Sequence, residues 1–116
     1  MSTQDEKITL LQGTLDLLIL RTLLFGEQHG QGIARAIQSQ SGEELLVDHG
    51  SLYPALQRLE NKNLVEAKWG VSSNNRKARF YSLTAEGKKA LSREISFWKR
   101  MTTAIDRVLN SPKVES

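Results

Sequence analysis

The amino-acid sequence predicts a mainly α fold of the α+β type, a single small domain with an appended helix. Three observations predict it. Leu52, Leu56 and Leu59 recur at helical spacing in the segment 51–62, so one side of that segment must be buried. Two alternating, aromatic- or β-branched-rich stretches follow at 64–69 and 78–83, the pattern of paired strands. Beyond them, apolar residues repeat every three or four positions from Leu91 to Leu109, as on a long helix.

Residues 1–8 read as a polar arm. Gln12 to Phe25 reads as the first helix, with Leu11, Leu15, Leu18 and Leu24 on one side and Leu17, Leu20 and Leu23 on another. A helix apolar on more than one side packs on more than one neighbour. Gly26 ends it, and His29-Gly30-Gln31-Gly32 reads as a turn before a second helix from Ile33 to Ser41. Gly30 and Gly32 resemble a piece of a phosphate loop, but the glycine spacing does not fit the dinucleotide fingerprint. Leu45-Leu46-Val47 reads as a short extended stub.

The third helix, 51–62, starts between Asp48 and Ser51, either of which is a suitable N-cap. Pro54 favours the later start, because proline is tolerated in a first turn. Asn63 is the expected left-handed residue after the helix. Strands 64–69 and 78–83 then flank a polar loop, Gly70 to Lys77, so the hairpin carries a basic tip. Thr84 caps the last helix, which runs to about Leu109 and is stopped by Asn110-Ser111-Pro112. Leu91, Ile95, Trp98, Thr102, Ile105 and Leu109 form a heptad seam, with Phe97, Met101, Ala104 and Val108 beside it. Two stripes predict two contacts, one with the chain's own first helix and one with a partner; an intramolecular hairpin onto helix one is the alternative.

Helix, helix, stub, helix, hairpin, long helix is the order of a winged helix-turn-helix domain, here 1–83, followed by a dimerisation helix and tail, 84–116. The charge agrees with nucleic acid as a partner. Net charge is only +3, but residues 1–50 hold three Lys/Arg against seven Asp/Glu, whereas residues 51–82 hold six against two. A local basic patch attracts polyanions. The outer side of the third helix carries Pro54, Gln57, Arg58 and Asn61, and such a face suits a DNA major groove. Gln57 matches the edge of adenine. Arg58, Arg76, Lys77 and Arg79 suit phosphates, although Arg79 could instead pair with Glu66 across the hairpin. Tyr53 could reach a phosphate or a thymine methyl, or simply pack at the mouth of the helix; Ser51 and Asn75 are lesser candidates.

Other classes fare worse. There is no Cys, which removes disulfides, thiolate catalysis and Cys-ligated metal; no cofactor and no metal are expected. Asp48, His49 and Ser51 look triad-like, but residues so close at one helix start diverge rather than converge, so no enzyme is expected. The most apolar run, Leu15 to Phe25, is broken by Asp16, Arg21 and Thr22 and is too short for a bilayer. The polar N-terminus shows no signal peptide, and a cytoplasmic location is expected. The rival is a winged-helix adaptor that binds protein, since fold alone does not assign function; the basic hairpin tip argues against it.

The residues Ser51-Leu52-Tyr53-Pro54-Ala55-Leu56, Arg58-Leu59-Glu60, Leu64-Val65, Trp69, Arg79-Phe80-Tyr81-Ser82-Leu83-Thr84 and Gly87 resemble the signature of the PadR family of bacterial transcriptional regulators. The likeness covers about residues 10–109. Two positions differ: Gln31 stands where the family often has Tyr, and Asn63 where it commonly has Gly. The resemblance implies a homodimeric repressor on an inverted repeat of double-stranded DNA. The recognition helix 51–62 would enter the major groove, and the wing 69–79 would lie on the flanking backbone or minor groove. Some short members of the family hold flat aromatic ligands between subunits against a tryptophan of the last helix, and Trp98 is similar in position. Leu15, Asp16 and Ile19 are the expected neighbours of such a pocket, with Asp16 either receiving a cationic guest or simply solvated.

Overall fold

The computed structural model describes residues 8–9 and 12–113 of the 116. The elements are β1 (Ile8–Thr9), α1 (Gln12–Leu23), β2 (Gln28–His29), α2 (Gly30–Gln40), β3 (Leu45–Leu46), α3 (His49–Asn61), β4 (Val65–Val71), β5 (Lys77–Leu83) and α4 (Ala85–Asn110). The mainly α winged-helix arrangement expected from the sequence is present. Residues 1–7 and Leu11 lie outside the described residues.

The core sits where α1, α2, α3, the root of the hairpin and the start of α4 meet. Leu15, Ile19, Leu20, Ile33, Leu52, Leu56, Leu59 and Val65 are its fully enclosed side chains. Leu52, Ala55, Leu56 and Leu59 are all buried on α3, as their helical spacing on one face requires. Removing such a leucine side chain from water is worth about 1.5–3 kcal/mol.

Three helices have a side-chain cap at their start. On α2, Nδ1 of His29 accepts the amide of Gly32 at 3.0 Å. On α3, Oδ1 of Asp48 accepts the amide of Ser51 at 2.8 Å. On α4, Oγ1 of Thr84 accepts the amide of Gly87 at 2.9 Å and donates to the carbonyl of Asn63 at 2.6 Å. The end of α3 closes with the amide of Leu64 on the carbonyl of Leu59 and that of Asn63 on Glu60, the paired bonds that need a left-handed residue. Asn63 supplies it, at φ 63°. The start of α4 is pressed on the same corner, so that a Cβ at Gly87 would collide with the carbonyl oxygen of Leu64.

Several boundaries differ from the sequence-based expectation. Helix α1 ends at Leu23, because Leu24 and Gly26 turn back onto the Arg21 and Leu23 carbonyls to bring the chain into β2. Helix α2 begins at Gly30, not Ile33, since His29 caps it. Helix α3 begins at His49 with Asp48 as cap, placing Pro54 inside the helix rather than in its first turn. The proline removes the bond to the carbonyl of residue 50, and Gly50 is exposed, so water can take the bond's place.

The hairpin strands are longer than expected, and β2 joins them in a three-stranded antiparallel sheet of order β2-β5-β4. Ile8–Thr9 pairs in parallel with Leu45–Leu46, although the sequence reading places Ile8 in the arm. Two-residue pairings of this kind carry no periodicity for a sequence pattern to reveal.

Helix α4 is 26 residues long, roughly 39 Å. Its buried residues, Gly87, Ala90 and Leu91, all lie near its start, and Ile95 packs at the edge of the core. This first part meets the chain's own α1. The rest of the seam is uncovered: Trp98 is 38 % exposed, Ile105 48 % and Leu109 74 %.

Candidate nucleic-acid interface

The outer face of α3 presents Ser51, Tyr53, Pro54, Gln57 and Asn61, all exposed. The free face is already organised. Nε2 of Gln57 donates to Oδ1 of Asn61 at 3.0 Å, aligning two amide side chains one turn apart. The hydroxyl of Ser51 donates to the Asp48 cap at 3.3 Å. The ring of Tyr53 packs over Gly30, where a Cβ would crowd it, and meets His49 edge-on at 5.8 Å. Tyr53 thus joins the start of α2 to the start of α3 while staying nearly half exposed.

Arg58 is not on this face. Its Nη2 donates to Oδ1 of Asp16 at 2.9 Å, and the two side chains are 30 % and 17 % exposed. Its Nε is buried without a hydrogen-bond partner among the described residues. The reason is the crossing of α1: an acid flanked by Leu15 and Leu17 comes under α3, and a carboxylate shielded from water needs a cation. An Asp in a leucine-rich stripe was the signal in the sequence.

Arg79 likewise has a partner. Its two Nη atoms donate to both carboxylate oxygens of Glu60 at 3.3 and 3.0 Å, a bidentate fork that fixes geometry as well as charge. Glu66, the alternative partner that the sequence offers, faces Ser82 in the register, whereas Arg79 faces Trp69. The guanidinium also lies 5.9 Å from the ring of Tyr81. Burial raises the pKa of the Tyr81 phenol, and the charge of Arg79 opposes that rise.

The hairpin tip is a tight loop in which the amide of Asn75 donates to the carbonyl of Ser72 and that of Ser72 to the carbonyl of Arg76. Asn75 takes φ 60°, a conformation asparagine tolerates. Arg76 is exposed, and Lys77 stands 5.3 Å from the ring of the exposed Trp69. Among the described residues neither Arg35 nor Arg76 has an ion-pair partner.

The residues expected to line an effector pocket are not gathered on an open surface. Leu15 and Ile19 are enclosed in the core and Asp16 holds Arg58, while Trp98 stands partly exposed on α4. No group of three or more metal-ligating side chains occurs among the described residues, and none of their helices is long and apolar enough to cross a membrane.

A helix with an open polar face, a cation-tipped hairpin beside it and a long trailing helix form a recurrent combination. The family model described as the transcriptional regulator PadR-like family matches residues 19–93. The chain belongs to the PadR-like family. The match covers most of the core, α3, the whole hairpin and the first third of α4. It makes this PadR-family chain a transcriptional regulator rather than an enzyme.

Relatives agree. An uncharacterized protein X of Lysinibacillus sphaericus is 32 % identical over 97 residues, covering 84 % of this chain and 89 % of that one. A 37.1 kDa uncharacterized protein in transposon TN4556 of Streptomyces fradiae is 38 % identical over 86 residues, which are 74 % of this chain but 23 % of that one. Among solved structures, a PadR family transcription regulator of Clostridium difficile R20291 is 30 % identical with a TM-score of 0.69, covering 83 % of this chain and 98 % of that one. A PadR-like transcriptional regulator of Bacillus cereus is 25 % identical with a TM-score of 0.74, covering 88 % and 97 %.

The fold also brings forward three residues that the sequence reading did not name individually as contacts to DNA: His49, Trp69 and Arg35. His49 and Trp69 sit beside Tyr53 and Lys77. Arg35 lies on a different helix from every residue expected to touch DNA, and no local pattern connects them.

Proposed function

We propose that this PadR-family chain is a homodimeric, sequence-specific DNA-binding repressor acting on an inverted-repeat operator. Helix α3 enters the major groove, and the hairpin lies on the flanking backbone or minor groove. The observation that carries this reading is the exposed polar face of α3, with Gln57 and Asn61 aligned by a hydrogen bond, beside a hairpin tipped with Arg76 and Lys77. Gln57 reads a base edge. Ser51, Tyr53, Pro54 and Asn75 set the approach, and Arg76 and Lys77 supply phosphate contacts that set affinity and its salt dependence. Arg58 and Arg79 serve chiefly to hold α3 and the hairpin in place.

Dimerisation falls to the far part of α4, whose Phe97, Ile105, Val108 and Leu109 are 57 %, 48 %, 74 % and 74 % exposed. So much apolar surface on one exposed helix marks an interface, and a heptad seam suits a second copy of itself. Trp98, on that seam, is the residue on which a planar aromatic effector would stack.

The test is fluorescence anisotropy of a duplex from upstream of the chain's own gene against a scrambled duplex, at two salt concentrations. Tighter, salt-sensitive binding to the native duplex is expected. Equal and weak binding to both would overturn sequence-specific recognition of that fragment and favour a protein-binding adaptor.

A further inference from the structure

The start of α2 is held by β2, the two residues before it. Nδ1 of His29 accepts the amide of Gly32 at 3.0 Å and caps the helix. The same imidazole meets Phe80 of β5 edge-on, with ring centroids 5.4 Å apart. Beside it, Oε1 of Gln28 accepts the amide of His29 at 3.0 Å, and the Gln28 side chain fills the place where a Cβ at Gly32 would stand. Gly30, the first residue of α2, is buried and carries the ring of Tyr53. One imidazole therefore joins the hairpin sheet to the helix turn on which Tyr53 of α3 is seated.

This cap exists in one protonation state. A neutral imidazole accepts at one nitrogen and donates at the other, whereas imidazolium donates at both. A proton on Nδ1 of His29 would set one N–H against the N–H of Gly32 and leave that amide an orphan of the first turn. It would also add positive charge at a helix N-terminus, where the dipole is already positive. The surroundings offer no relief. Arg35 of α2, Arg76 of the hairpin loop and Lys77 and Arg79 of β5 line the two grooves that His29 borders, with Tyr53 and Tyr81 as the other titratable groups. Among the described residues neither groove has an acid in its lining. Glu60 of α3 is spent on Arg79 at 3.0 Å, and Glu27, two positions before His29, is held by Lys68 of β4 at 3.2 Å.

We propose that His29 is a positioning residue for the DNA-binding face: it holds the first turn of α2 beneath Tyr53 only while unprotonated, so that acid loosens this face and weakens DNA binding. The inference rests on the DNA-binding reading of α3 and the hairpin. Its direction in pH follows from the bonds. The unfolded chain takes up a proton on His29 without losing a bond, and the folded chain only by giving up the cap. The unfolded state then binds more protons, and stability falls as pH falls through the interval in which imidazole ordinarily titrates, between about pH 8 and about pH 5. A histidine that met a phosphate directly would act the other way, because its proton would tighten binding.

The test compares the full wild-type chain with His29→Asn at about pH 8 and about pH 5. Asparagine caps a helix through a side-chain oxygen that does not titrate. Affinity for the upstream duplex is read by fluorescence anisotropy, and unfolding in urea is followed without DNA. Wild type is expected to lose affinity and folding stability toward acid by up to about tenfold per pH unit more than His29→Asn. His49 is the other histidine of the chain, and His49→Gln is expected to keep the wild-type dependence on pH. Should circular dichroism show that His29→Asn does not fold, His29→Ser supplies a second cap that does not titrate. Affinities of wild type and the Asn variant that change in parallel overturn the positioning role, whether or not their stabilities diverge. Wild-type affinity that rises in acid above that of the variant overturns it as well, by making His29 a phosphate contact. Stabilities that diverge while neither protein binds the duplex at either pH leave the acid-labile cap standing and overturn the DNA-binding reading.

Discussion

The guanidinium of Arg58 donates to the carboxylate of Asp16 at 2.9 Å, binding α3 to α1 across 42 positions of sequence. Helix α1 in turn meets the start of α4, so one ion pair lies on the route from the long helix to the exposed face of α3. Breaking one side of a shielded pair costs more than the pair is worth, because the remaining charge stays where water is scarce. Both side chains keep some exposure, which moderates that cost. Asp16→Ala is expected to lower unfolding stability by about 1–3 kcal/mol, read by urea denaturation. Arg58→Ala should lower stability similarly yet leave the salt slope of DNA binding near the wild-type value. A slope as shallow as that of an Arg76 substitution would show that Arg58 leaves Asp16 for a phosphate.

In the proposed complex Gln57 reads a base. Gln57→Ala should cost about 1–3 kcal/mol of discrimination at one base pair in each half-site while leaving the salt slope intact. Binding to a set of singly substituted operators checks it, and uniform weakening across the set would make Gln57 a mere positioning residue.

Ile105 lies far along α4, half exposed and remote from the core. Ile105→Asp should leave the domain folded and convert a dimer into monomers in sedimentation equilibrium. Continued sedimentation as a dimer at the wild-type association constant would place the subunit contact elsewhere.

Gly87 sits where no side chain fits, against the carbonyl of Leu64. Gly87→Ala should force the α3–α4 corner apart and cost about 1–3 kcal/mol, the usual scale of overpacking. Thermal melting reads the change.

Where residues interact with near neighbours in sequence, their roles were legible in advance. The buried side of α3, the left-handed Asn63, the Thr84 cap and the hairpin follow from spacing and local backbone chemistry. Start points were less legible, because a cap such as His29 or Asp48 competes with proline and glycine signals that point later in the chain. The pairings β2–β5 and β1–β3 were not legible: each joins two residues to a distant strand and leaves no period.

Spacing and composition alone establish a mainly α chain with one half-buried helix, a basic hairpin and a heptad-bearing final helix, since these follow from which residues must leave water. Which cations are free was settled by packing. Arg58 and Arg79 look as available in the sequence as Arg35 and Arg76. The crossing of α1 under α3 gives Asp16 to Arg58, and the approach of β5 to α3 gives Glu60 to Arg79. Ion pairing depends on separation in space, which a residue's place in the chain does not reveal when its partner lies tens of positions away.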